Sequence, residues 1–69
     1  MKDLFWLQIA IMEHQPQGED EIELQVGDTI TLHKNLWNGY SRGHNHRTNK
    51  VGNYPEYKIQ EKPSFVNFN

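Results

Sequence analysis

Four histidines, seven bases and nine acids are the groups in this 69-residue chain best able to do chemistry. His44 and His46 flank Asn45, and in a strand both rings would point to one face, as metal ligands can. Zinc needs at least a third protein ligand, and no cysteine or well-placed carboxylate lies beside them. They read as loop histidines, and neither metal nor cofactor is expected. The letters HNH also match a nuclease signature, but that signature needs a ββ-helix-metal unit that this pattern does not build. Arg42 and Arg47 sit in a basic group with Lys34 and Lys50. Guanidinium forks pair bidentately with carboxylates, so these two arginines are candidates for clamping a partner domain or an acidic sugar. The plainer reading is a charged hairpin that resists edge-to-edge pairing. Glu19, Asp20, Glu21 and Glu23 crest a loop, where acids are ordinarily solvated. Nucleophilic catalysis needs a hydroxyl or thiol held against an oriented base, and neither Ser41 nor Ser64 has one in view. This chain by itself is not expected to be an enzyme.

The elements that must position these groups are short. Sixty-nine residues make one small domain, burying roughly 60% of its unfolded surface. Without cysteine, neither a disulfide nor a thiolate zinc site can staple it. A net charge of −2 argues against a nucleic-acid module that must neutralise phosphates. The apolar run "LFWLQIAIM" is too short to span a bilayer, and no targeting signal precedes it, so no membrane contact is expected.

Helical periodicity is missing, while short apolar segments recur between Gly, Pro and Asn, as in a small antiparallel barrel. "LQIAIM" (7–12) reads as a first strand and "QPQGED" (15–20) as a loop. "EIELQV" (21–26) alternates, Gly27-Asp28 turns, and "TITLH" (29–33) follows. The next strand is expected to begin near Trp37 and run to about Arg42, and the polar stretch from His44 to Lys50 to form the tip of a long hairpin. "VGNY" (51–54) stops at Pro55, which cannot donate to a ladder. "EYKIQ" (56–60) gives a turn and a last strand, with a frayed tail from Lys62. The expected core is Ala10, Ile22, Leu24, Val26, Ile30, Leu32, Trp37, Tyr54 and Ile59.

The order "AIMEH", "EDEIEL", "VGDTI", "LWNG", "GNYPEYK" resembles that of SH3 domains over about residues 8 to 60. The resemblance implies an all-β, SH3-like barrel of five antiparallel strands with an elongated distal hairpin. It would comprise an N-terminal extension (1–7), the SH3 domain (8–60) and a C-terminal tail (61–69). SH3 domains grip proline-rich peptides on an aromatic platform. The positions that supply two tyrosines in the family here read Met12 and His14. The family's paired tryptophans would fall at Leu36 and Trp37, with the ligand-facing member replaced by Leu36 and Trp37 taking the inner, structural place. Pro55 and Tyr57 persist, and Tyr40 is a further platform candidate. With the platform this reduced, a proline-rich peptide is not the expected ligand.

A narrower resemblance lies in "GYSRG", the long hairpin, "YPEYK" and the pair Gln15-Pro16 after His14. These are similar to the C-terminal SH3 domain of α1,6-fucosyltransferases, the Golgi enzymes that fucosylate the innermost GlcNAc of N-glycans. That resemblance implies a non-catalytic accessory domain that packs on a parent catalytic domain and borders the acceptor-glycan groove. It also implies a GDP-fucose-dependent parent, a Golgi-lumenal location and possible dimerisation. The family's glycan-associated His corresponds to Leu36 here. The ligand surface it points to is Met12, His14, Leu36, Trp37, Tyr40, Pro55 and Tyr57. Phe5 and Trp6, together with Arg42 and Arg47, are the interface candidates. The other reading is an adaptor module that binds a peptide motif through an atypical groove.

Overall fold

The computed structural model describes the backbone of residues 2–67 and the side chains of residues 7–61. Five strands form one sheet: β1 (Lys2–Ala10), β2 (Thr29–Asn35), β3 (Tyr40–Asn45), β4 (Lys50–Pro55) and β5 (Ile59–Asn67). All neighbours pair antiparallel, in the order β4-β3-β2-β1-β5. One 3-10 turn, Glu56–Lys58, separates β4 from β5.

The long connection 11–28 is tied back on itself by the bridge His14↔Leu24. It then crosses the outer edge of β4. The Ile22 N–H donates to the Asn53 carbonyl (3.0 Å) and the Asn53 N–H to the Asp20 carbonyl (2.7 Å). An edge strand that would otherwise offer unpaired backbone groups is thereby covered, and the sheet curls toward a barrel. Ala10, Ile22, Leu24, Ile30 and Tyr54 are buried inside, with Ile59 packed against them. Gly43 and Gly52 face each other across β3 and β4. A Cβ on Gly43 would lie 2.5 Å from the Thr31 carbonyl oxygen, and one on Gly52 would lie 2.6 Å from Ile22 Cγ2. Glycine at both positions lets the loop and β2 close on the hairpin.

Four expectations need correction. The alternating segment 21–26 is not a strand: only Glu21 and Leu24 form isolated bridges. Its Val26 is 69% exposed, because Gly27, at φ 95°, and the bond from the Gln25 N–H to the Asp28 carboxylate bend the chain into a turn with Val26 at its tip. β3 begins at Tyr40 rather than near Trp37. The Leu36 N–H donates to the Tyr40 carbonyl (2.8 Å), while Asn38 and Gly39 take left-handed φ values of 71° and 75°. That tight turn projects Trp37 outward, 89% exposed, so it has no inner structural place. Leu32 is half-buried at a register shift between Leu32 and Lys34. Finally, β1 starts at Lys2 and leaves the sheet before Ile11, and the tail continues as β5 to Asn67. The two pair from Lys2↔Asn67 to Ala10↔Ile59.

Candidate functional site

The hairpin's open end carries the aromatic residues. Tyr40, the first residue of β3, pairs with Pro55, the last of β4, and Tyr57 follows on the 3-10 turn. The Glu56 N–H donates to the Gly39 carbonyl (2.8 Å), which fixes the turn at 36–39 against the 3-10 turn. Asn38, Gly39, Tyr40, Pro55, Glu56 and Tyr57 line an open concavity of about 420 Å³. Ser41 is fully buried; its hydroxyl donates to Glu56 Oε1 (2.8 Å) and lies 3.0 Å from Asn35 Oδ1. Tyr57 is exposed, as is Trp37 on the turn at 36–39, while Tyr40 is half-buried.

Of the expected ligand surface, the structure brings Tyr40, Pro55 and Tyr57 together, with Trp37 on the adjoining turn. Leu36 is half-buried, and Met12 is exposed on the long connection rather than lining the concavity. His14 is no platform residue: it is 6% exposed and bonded at both nitrogens. Its Nε2 lies 2.6 Å from Glu21 Oε1, and its Nδ1 lies 3.1 Å from Lys58 Nζ. Lys58 also donates to the Glu13 carbonyl (3.0 Å) and stands 5.6 Å from the centre of the Tyr57 ring. The bond to His14, and a second from the Gln17 N–H, hold the Glu21 carboxyl below its ordinary value.

The hairpin's other end is polar and internally paired. Asp28 is buried. Its carboxylate accepts from Asn45 Nδ2 (2.8 Å), Arg47 Nε (2.8 Å) and the Gln25 N–H (2.8 Å). Burial pushes the Asp28 carboxyl up, but these three donors outweigh it and hold the group below the usual carboxylate value. Asn45 Oδ1 in turn accepts the Arg47 N–H (2.8 Å). Arg47 is therefore tied to Asp28, and to Glu23 at 3.4 Å, while Arg42 is exposed and reaches Asn53 Oδ1 (3.2 Å). His44 donates to Asn49 Oδ1 (2.7 Å) and His46 pairs with the Thr31 hydroxyl (2.6 Å). The Phe5 and Trp6 side chains lie outside the described residues; their backbone belongs to β1.

Residue types alone missed Asn38, Gly39 and Glu56 in the site, and Asp28 and Asn45 in the distal network. The signal for the first two was present, since Asn-Gly between apolar segments is a strong short-range hairpin signal. A register anchored there starts β3 at Tyr40-Ser41 instead of Leu36-Trp37.

Comparison with known proteins agrees with this geometry. Residues 10–60 match the family described as the variant SH3 domain. The solved SH3 domain of yeast NBP2 superposes with a TM-score of 0.76 at 21% identity, over 84% of this chain and 98% of that one. The chain belongs to the variant SH3 domain family. An α-(1,6)-fucosyltransferase of Drosophila melanogaster is 38% identical over 53 residues, 77% of this chain and 9% of that protein. The Caenorhabditis elegans α-(1,6)-fucosyltransferase is 47% identical over 51 residues, 74% of this chain and 9% of that protein. Mouse vinexin is 37% identical over 46 residues, 67% of this chain and 6% of vinexin. The chain thus spans only a small share of each of these relatives.

Proposed function

We propose that this is the non-catalytic SH3 domain of an N-glycan core α1,6-fucosyltransferase. In this reading it packs on the catalytic domain, and its surface of Trp37, Tyr40, Pro55 and Tyr57 helps shape the acceptor-glycan site. The observation that carries the reading is the similarity to two α-(1,6)-fucosyltransferases over about three quarters of the chain. The exposed Trp37 supports it, because an indole face in water suits a sugar face or a neighbouring domain. Fucose transfer from GDP-fucose would occur on residues outside this chain, in the Golgi lumen, with dimerisation of the parent as a further possibility.

A second reading has a specific observation in its favour. Tyr40, Pro55 and Tyr57 line one concavity, which suits a module that takes a peptide. Amide chemical-shift titration separates the two readings. Shifts at Trp37, Tyr40 and Tyr57 with a core N-glycan, and none with a proline-rich peptide, are the expected result. Micromolar binding of the peptide at the same residues sinks the accessory-domain reading.

A further inference from the structure

The turn at 36–39 carries a reactive dipeptide. Asn38 and Gly39 are both exposed, both line the concavity, and hold φ values of 71° and 75°. An asparagine followed by glycine is open to attack on its own carboxamide, because no side chain on the next residue crowds the backbone nitrogen. The other asparagines with described side chains are held differently. Asn35 Oδ1 lies 3.0 Å from the Ser41 hydroxyl, Asn53 Oδ1 accepts from Arg42 (3.2 Å) and Asn49 Oδ1 from His44 (2.7 Å). Asn45 is buried, and its Nδ2 donates to Asp28 (2.8 Å). Each of these is followed by a residue with a side chain, namely Leu36, His46, Lys50 or Tyr54. Among the described residues, the Asn38 carboxamide alone of this group has no hydrogen-bond partner. The peptide group between Asn38 and Gly39 makes no backbone hydrogen bond either.

We propose that Asn38-Gly39 is a site of spontaneous deamidation, and that the reaction switches the concavity one way, toward a looser and more acidic shape. The Gly39 amide nitrogen, once a base takes its proton, attacks Asn38 Cγ. The new N–Cγ bond closes a succinimide ring, the Cγ–Nδ2 bond breaks, and Nδ2 leaves as ammonia with a proton returned from water. Water then opens the ring at one of its two carbonyls. One opening leaves an aspartate in an ordinary main chain. The other leaves an isoaspartate, with the main chain rerouted through the β-carbon. Ammonia leaves and water enters, so neither oxidant nor reductant is needed. Ring closure requires the peptide after Asn38 to rotate, and that rotation breaks no backbone hydrogen bond of the peptide itself.

The consequence falls on the concavity. Two bonds shape the turn: the Leu36 N–H to the Tyr40 carbonyl and the Glu56 N–H to the Gly39 carbonyl, each 2.8 Å. An isoaspartate lengthens the main chain between Leu36 and Gly39, so the two bonds no longer span the same path. Either product also sets a carboxylate beside Glu56, which lines the same concavity, and like charges repel. Trp37 then loses the turn that projects it outward. The inference goes beyond the proposed function, since it concerns the surface whatever fills it. Its test uses no ligand, so its failure leaves that reading untouched.

The test holds the full 69-residue chain at 37 °C and pH 8 for several weeks, sampling it by peptide mass mapping and NMR. The expected result is conversion of Asn38 to aspartate and isoaspartate while Asn35, Asn45, Asn49 and Asn53 stay intact. A second set of Trp37 and Tyr57 signals should grow with the same time course. Asn38→Gly accepts the left-handed φ and has no carboxamide, so its Trp37 and Tyr57 signals should stay single throughout. Should that variant fail to fold, the parent chain held at pH 5 is the control, because the amide nitrogen then keeps its proton and both changes should slow together. Conversion of Asn38 no faster than of the other four overturns the proposal. So do Trp37 and Tyr57 signals that stay single while Asn38 converts, or a second set that grows in Asn38→Gly.

Discussion

The two ends of the β3–β4 hairpin treat their side chains in opposite ways. At the distal end, Asn45 and Asp28 are buried, and with Arg47 they satisfy one another's hydrogen bonds. At the open end, Tyr57 is exposed on an open concavity and Trp37 is exposed on the adjoining turn. Residue type reads the polar stretch as the tip of a charged hairpin and gives Trp37 a core position. What separates the ends is satisfaction. Polar groups that complete each other hold the distal end together, while Trp37 and Tyr57 stay exposed at the other end.

The largest expected effect breaks the distal end. Asp28→Ala strands the Asn45 amide and the Gln25 N–H, and should cost about 3 kcal/mol in urea unfolding. The Arg47 pair adds little, since that side chain is 39% exposed. Gly43→Ala should cost about 2 kcal/mol, because the new Cβ meets the Thr31 carbonyl oxygen at 2.5 Å and overpacks the sheet.

Acid sharpens the contrast further. The Asp28 and Glu21 carboxyls are depressed in the fold, so their contribution is complete above their ordinary values of 3.8 and 4.5. It is lost as pH falls through the lower folded values. Urea midpoints measured from pH 6 to pH 2 should drop across that acid range, and Asp28→Asn should drop less steeply than the parent chain. The smallest effect is at the other end. Trp37→Ala should move stability by under about 0.5 kcal/mol while weakening whatever the groove binds. A loss above about 1 kcal/mol would mean that the turn is structural and that the contrast between the ends is false.

Much of the fold was legible because the cues were local. Ile22, Leu24 and Ile30 were readable as core from alternation, and Pro55 as the end of a strand from its missing N–H. The errors have a common source in turn geometry. Val26 continued an alternating pattern, but a bond from the Gln25 N–H to the Asp28 carboxylate folds that pattern into a turn. Trp37 looked like core by size, while the left-handed pair Asn38-Gly39 decided which way it points. In the candidate site, Tyr40, Pro55 and Tyr57 were recoverable from the resemblance. The burial of His14 was not, because its partners Glu21 and Lys58 lie 7 and 44 residues away along the chain. Nor was the pairing of β1 with β5, since the apolar residues of its two halves stand at opposite ends of the sequence.

That ribbon has a consequence for how the module can be joined to other chains. Lys2 and Asn67 are direct partners across antiparallel strands, roughly 5 Å apart. Whatever is attached before residue 2 and after residue 67 leaves from one place. A linker of a few glycines could therefore join the two ends, and the chain could be reopened in the turn between Asn45 and Lys50 without changing the order of strands in space. Such a permuted chain should fold to the same sheet, and the module could be inserted into a host loop as a single-stemmed graft.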